Sequence, residues 1–270
     1  MAYPTIDKPY GFKPVNLIGG QPYAGSTRTL PISYGYTSNI FYGDFVNLVS
    51  GSVALVANTL ATPTIGVFLG CSFTDPVTKQ KRFSQYWPAS TLSGDAVAVI
   101  ADDPDLVFKT AVVTAAGTAT IASGSNFLVG ANLAGNTTTG STTTGNSAGG
   151  VVGASATGGN FRVMGVVPET QIQSSAAYIS GTGTTTLTVS GLTVGQVLPI
   201  GTDVYQSVAG KLQFTGSVLT AAVTVASSTS QALSVLASSA TILTTNPLVL
   251  VQSPEVLVKI TFASHRYYVA

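Results

Sequence analysis

Charge is what this sequence has least of. Lys, Arg, Asp and Glu make up 8% of its 270 residues, where a soluble domain typically carries about 25%. Eleven basic and ten acidic side chains leave a formal net charge of +1. A basic stripe able to neutralise phosphates is thereby excluded, and no nucleic-acid partner is expected. Cys71 is the one cysteine, so no disulfide can form within the chain. His265 is the one histidine. Any Ser-His-Asp arrangement would have to use it, and a base without an orienting carboxylate and a nucleophile in reach does no chemistry. It reads as a surface or interface residue. No zinc spacing, phosphate loop or dinucleotide fingerprint is expected, hence no metal and no cofactor.

Long apolar runs are missing as well. Hydrophobic residues reach 45%, yet no stretch attains the roughly 18 residues needed to span a bilayer as a helix. The strongest candidate, Pro247 to Phe262, is interrupted by Gln252, Ser253, Pro254, Glu255 and Lys259, and reads as two strands around a turn. The opening residues, Met1 to Tyr10, lack an apolar signal region. The expectation is a protein assembled in a reducing cytoplasm, with no membrane partner.

What the chain does contain is Gly, Thr, Ser, Ala and Val in short alternating runs. Residues 1–26 are rich in Pro, Gly and Tyr without a period of 2 or 3.6, and read as an extended arm. Its aromatic and proline residues, Tyr3, Pro9, Tyr10, Phe12 and Pro14, are the candidates for contact with a partner. A strap across the protein's own core is the other reading of the same residues. Strands are expected at Asn39–Val49, Thr64–Phe73, Arg82–Tyr86, Ala96–Ala101, Leu106–Thr114, Phe161–Val167 and Val256–Phe262. Asn39–Val49 is apolar on both faces, which suits a strand central to a sandwich or one covered by a partner. Thr74–Lys81 reads as a hairpin connection.

Residues 123–160 are a low-complexity Gly/Ser/Thr/Asn tract with little to bury. They predict a mobile loop, with an exposed hairpin held by threonine pairs as the alternative. Helix signals are scarce; Ser228–Ser239 is the one short candidate. The fold class expected is all-β: an antiparallel sandwich or barrel-like domain formed by 27–170 plus 254–270, with a small β domain inserted at 171–253.

Three segments carry a resemblance: Pro9-Tyr10-Gly11-Phe12-Lys13-Pro14-Val15, then Tyr36 to Val46, and most specifically Ile65 to Asp75 followed by Phe83-Ser84-Gln85-Tyr86-Trp87-Pro88-Ala89-Ser90. Together they resemble a family of capsid decoration (cement, head-stabilising) proteins of tailed phages of aquatic bacteria. The similarity covers about residues 9–110 and the closing strands near 161–168 and 256–268; between about 170 and 255 the chain departs from it. The resemblance implies a non-enzymatic virion protein on the capsid surface, assembled in the host cytoplasm. Its partners would be the major capsid protein and itself, as a homotrimer by analogy. Another virion part, a tail or fibre protein, is the alternative.

The remaining polar clusters have plain structural readings. Asp102-Asp103-Pro104-Asp105 has the chemistry of a turn between two strands, with a bound cation as the less economical reading. Lys79-Gln80-Lys81-Arg82 solvates a hairpin or meets an acidic patch. Cys71 reads as a buried inert thiol, and Trp87 as a core plug or an interface anchor.

Overall fold

A computed structural model describes residues 6, 8–56, 63–115, 117–122, 132–152, 159–181, 184–238 and 241–267. The protein is all-β, built of several mostly antiparallel sheets, one of them nearly closed like a barrel. Among the described residues there is no α-helix, and Pro168–Thr170 forms one 3-10 turn.

The seven-stranded central sheet has the strand order Gly135–Asn136, Gly150–Val152, Leu106–Val113, Glu255–Ile260, Phe161–Val166, Asn132–Leu133, and Phe12–Leu17 pairs additionally with Leu106–Val113. Its inner face alternates as a half-buried strand should: Phe108, Val256, Val258, Ile260, Phe161 and Val163 all enter one core. The hairpin sheet runs Arg28–Pro31, Val97–Ala101, Gly66–Thr74, Phe45–Val49, Ser52–Leu55, with Lys81–Ser84 paired to the far end of Gly66–Thr74. Phe45, Val67 and Ala101 send side chains into the central core, while Val46, Phe68 and Ile100 enter a second core around Trp87. The two-sided apolarity of this strand is therefore satisfied within one chain.

Between Ile172 and Gln252 the chain builds a further sheet of six strands, in the order Lys211–Val218, Asp203–Val208, Pro247–Gln252, Ile172–Ser180, Thr186–Ser190, Gln231–Ser234. Its core draws only on residues between Ala176 and Leu250. Chain entry and exit lie side by side, since Ile172 pairs with Gln252 and Val166 with Val256. That is the geometry in which a segment can be inserted without disturbing its host.

Three local expectations are corrected. Ser228–Ser238, the described part of the expected helix, holds none; Gln231–Ser234 is a strand paired with Thr186–Val189. Leu233 is buried between exposed Ala232 and Ser234, so the period-2 burial available at an open sheet edge outweighs a short Ser-rich helix. Asn39–Val49 is not one strand, because Gly43 adopts φ 91° and Asp44 closes a turn by accepting the Phe41 N–H at 2.8 Å. The low-complexity tract is not an appended loop over its described part. Residues 132–152 contribute three short strands, and Asn136 and Ser147 are buried. Small residues are needed there: a Cβ on Gly140 would lie 2.4 Å from the Asn146 carbonyl oxygen, and one on Gly150 2.5 Å from that of Ala111. The flanks 123–131 and 153–158 lie outside the described residues.

Candidate interaction surface

The hairpin sheet does not end where the central core ends. Ala101, Val99 and Val97 share one face of their strand by alternation, and only Ala101 joins the central core. Beyond it, Val99 pairs with Gly70 and Thr29, and Val97 with Ser72 and Pro31. Ser72 in turn lies opposite Phe83. The result is an uncharged stretch of sheet face, Thr29, Pro31, Ser72, Val97, Val99 and Phe83, bordered at its end by the Lys81–Asp95 ion pair. Phe83 is 85% exposed, as is Val77 on the hairpin connection. A shallow concavity lies beside the ring, lined by Tyr42, Leu69, Gln85 and Val99 among others.

Phe83 stands on Lys81–Ser84, which among the described residues has a single partner strand and an open second edge. Such an edge is ordinarily guarded by charge, and here the guards are consumed locally. Lys81 pairs with Asp95 at 2.8 Å and Arg82 with Asp75 at 2.9 Å. These partners hold the Asp75 carboxyl near 2, through the Arg82 hydrogen bond first and the Thr78 and Val77 amides next. Hydrogen bonds from Lys81, Ser93 and Thr74 likewise hold the Asp95 carboxyl well below the usual carboxylate range. Two of the three cations of the basic run are thus neutralised locally, and Lys79 stands exposed beside them.

The N-terminal candidates are placed differently from an arm that reaches outward. Tyr3 lies outside the described residues. Pro9 is buried. Phe12 is fully buried, stacked on Phe161 at 4.4 Å between ring centroids and edge-on to Phe45 at 5.5 Å. Tyr10 donates its hydroxyl to the buried Glu255 carboxylate; burial and that carboxylate both push the phenol upward. Pro14 is half-buried beside Phe108. From Pro9 to Leu17 this segment is a strap over the protein's own core, so Pro9 and Phe12 are not available to a partner.

His265 is likewise corrected from a surface to a buried position. It caps the end of the central sheet, bridging to Thr64 and accepting the Tyr267 N–H at Nδ1 over 3.3 Å. Burial holds its pKa below the ordinary imidazole value, against the opposing pull of Asp102. The Asp102–Asp105 cluster does not converge. Asp102 pairs with Arg28 at 3.0 Å and accepts the Tyr267 hydroxyl, Asp103 accepts the Asp105 N–H at 2.8 Å, and Asp105 faces Lys259. Among the described residues no group of three metal-ligating side chains exists. Cys71 is buried against the Tyr86 carbonyl, its thiol pushed up to about 12 by burial. Trp87 is a core plug donating its indole N–H to the Tyr36 carbonyl at 3.4 Å.

One pattern escaped the reading of the sequence. Gly145-Asn146-Ser147-Ala148-Gly149 has the Gly-x-Ser-x-Gly spacing of a nucleophile elbow. Here it leads into the strand Gly150–Val152 and not into a helix. Ser147 is 3% exposed; its hydroxyl donates to the buried Asp44 carboxylate at 2.5 Å and accepts the Gly149 N–H at 2.9 Å. The spacing serves a buried turn, and His265 stands elsewhere. Neither a known protein family, nor a curated protein, nor a solved structure matches this chain.

Proposed function

We propose that this chain is a non-catalytic virion structural protein of a tailed phage, which binds the assembled capsid as a decoration protein and stabilises it. The observation that carries the reading is the uncharged sheet face around Phe83, exposed on a chain that carries almost no net charge. Five of the ten acidic residues are already engaged in ion pairs within the chain. Such a surface has little charge to keep it from other proteins, and a large exposed aromatic beside an open sheet edge is suited to a protein neighbour. The resemblance of residues 9–110 to head-stabilising proteins supports the capsid as that neighbour. Repeated copies on a lattice would gain by multivalency, and binding the assembled shell alone would stabilise it by linkage.

The test is attachment. Phe83→Asp should leave the circular dichroism spectrum unchanged and lower the amount of protein that sediments with capsids lacking it. Wild-type protein should restore heat resistance to those capsids. Wild-type attachment unaffected by the substitution overturns the role of this face. Particles that lack the protein yet resist heat as well as complete ones overturn the stabilising role, and immunogold label confined to tails replaces the capsid by the tail.

A further inference from the structure

On the outer face of the central sheet, three polar side chains stand in a row. Asn132 is the register partner of Arg162, and Arg162 is the register partner of Lys259. Two cations directly opposite each other on neighbouring strands repel, a placement that sheets ordinarily avoid. In a chain with only eleven basic residues such a pair calls for a physical reason.

Internal compensation does not supply one. Among the described residues no carboxylate lies within ion-pair reach of Arg162. Lys259 is 6% exposed, and its one carboxylate contact is Asp105 at a long 3.5 Å, from a side chain that is 63% exposed. Its ammonium also rests 4.3 Å from the Phe262 ring centroid, a contact that shields a cation without neutralising it. Two residues further along, Thr261 is 8% exposed and its Oγ1 is buried with no hydrogen-bond partner. A buried hydroxyl left unpaired keeps the full cost of its desolvation.

These groups do not merely share a face. Asn132, Arg162, Lys259 and Thr261 line one open concavity of about 460 Å³, whose apolar walls include Met164 and Phe262. We propose that this concavity is an oxyanion-binding site whose ligand carries a carboxylate or phosphate group beside an apolar body. The oxyanion would lie between the Arg162 guanidinium and the Lys259 ammonium. It relieves their repulsion and takes the hydrogen bond that Thr261 has to give. Arg presents a planar fork matched to two oxygens of such a group. The apolar walls set the ligand's second feature, since a bare ion would leave them wet. The site stands apart from the Phe83 face and does not depend on the role proposed for it.

The experiment is thermal unfolding of the full chain at constant ionic strength with benzoate, phenyl phosphate, acetate or inorganic phosphate. Benzoate or phenyl phosphate should raise the midpoint more than acetate or inorganic phosphate, and their rank tells which oxyanion the site takes. Arg162→Gln should weaken the response roughly tenfold or more in apparent Kd. Without ligand at low salt, the same variant should unfold at the same or a higher temperature than wild type, because it removes a like-charge contact. Thr261→Val should likewise keep the fold and bind more weakly. No anion exceeding a chloride control, or Arg162→Gln responding as wild type does, overturns the site. Acetate matching benzoate overturns the apolar half of the assignment.

Discussion

Replacing Phe12 by alanine distinguishes a strap from an arm. The ring is fully buried, stacked on Phe161 at an interplanar angle of 19° and edge-on to Phe45 and Phe108 at 81° and 86°. Truncating a buried phenylalanine costs about 3–5 kcal/mol, including the lost transfer energy and the cavity left behind. The aromatic contacts, worth roughly 0.5–1.5 kcal/mol each, place this site in the upper part of that range. A loss of about 4 kcal/mol should lower the unfolding temperature by roughly 8–16 °C in a chain of this size. Urea unfolding of isolated protein, followed through Trp87 on the other side of the hairpin sheet, measures it directly. The midpoint should fall with the slope unchanged. A loss below about 1 kcal/mol in the isolated protein would refute the reasoning, because a residue reserved for a partner is silent until the partner is present.

Three further substitutions, one of them a control, test how the low-complexity tract is packed against the rest of the chain. Burial raises the Asp44 carboxyl from 3.8 to about 6, against the opposing hydrogen bonds from Ser147 and the Phe41 amide. The native state therefore binds this proton more tightly than the unfolded chain. The resulting stability is fully present below about pH 4 and is lost as pH rises through 6, to the extent of about 3 kcal/mol. Asp44→Asn should abolish that slope, so the difference between wild type and variant in urea midpoints should fall from pH 4 to 7; a rising difference contradicts the burial argument. Gly140→Ala puts a methyl 2.6 Å from a Phe41 ring carbon and should cost about 1–3 kcal/mol or more. Gly94→Ala, with nothing within 4 Å, should stay within about 0.5 kcal/mol; equal effects of the two would mean that the tract is not packed as described.

The strands at Leu106–Val113 and Phe161–Val166 were legible to within a residue, and Glu255–Ile260 to within two, Phe262 lying beyond its end and exposed. Alternation of side chains is a property of one strand, and a core face announces itself by its own period. The same local logic failed at Ser228–Ser239, where no period was strong enough to choose, and at residues 132–152, where composition suggested a loop. Glycine there marks close packing against Phe41, Asn136 and Ala111, and nothing in a single sequence separates a glycine that is free from one that is crowded. The uncharged face around Phe83 was half visible. Ser72, Phe83, Val97 and Val99 lay in expected strands, Thr29 and Pro31 in Arg28–Pro31, which was not expected, and exposure depends on where the neighbouring core stops.

The sequence by itself determined two things: a fold that is β throughout, and how few charged side chains, 8% of the residues, it has to place. Those follow from composition and from periods of two, which act over a few residues. Tertiary structure alone decided that Phe12 meets Phe161, that His265 is buried, and that Arg162 stands opposite Lys259. Each of these joins residues far apart in the chain. Register between such strands is set by the closing of the whole sheet, and a shift of one residue would turn every one of those side chains to the other face.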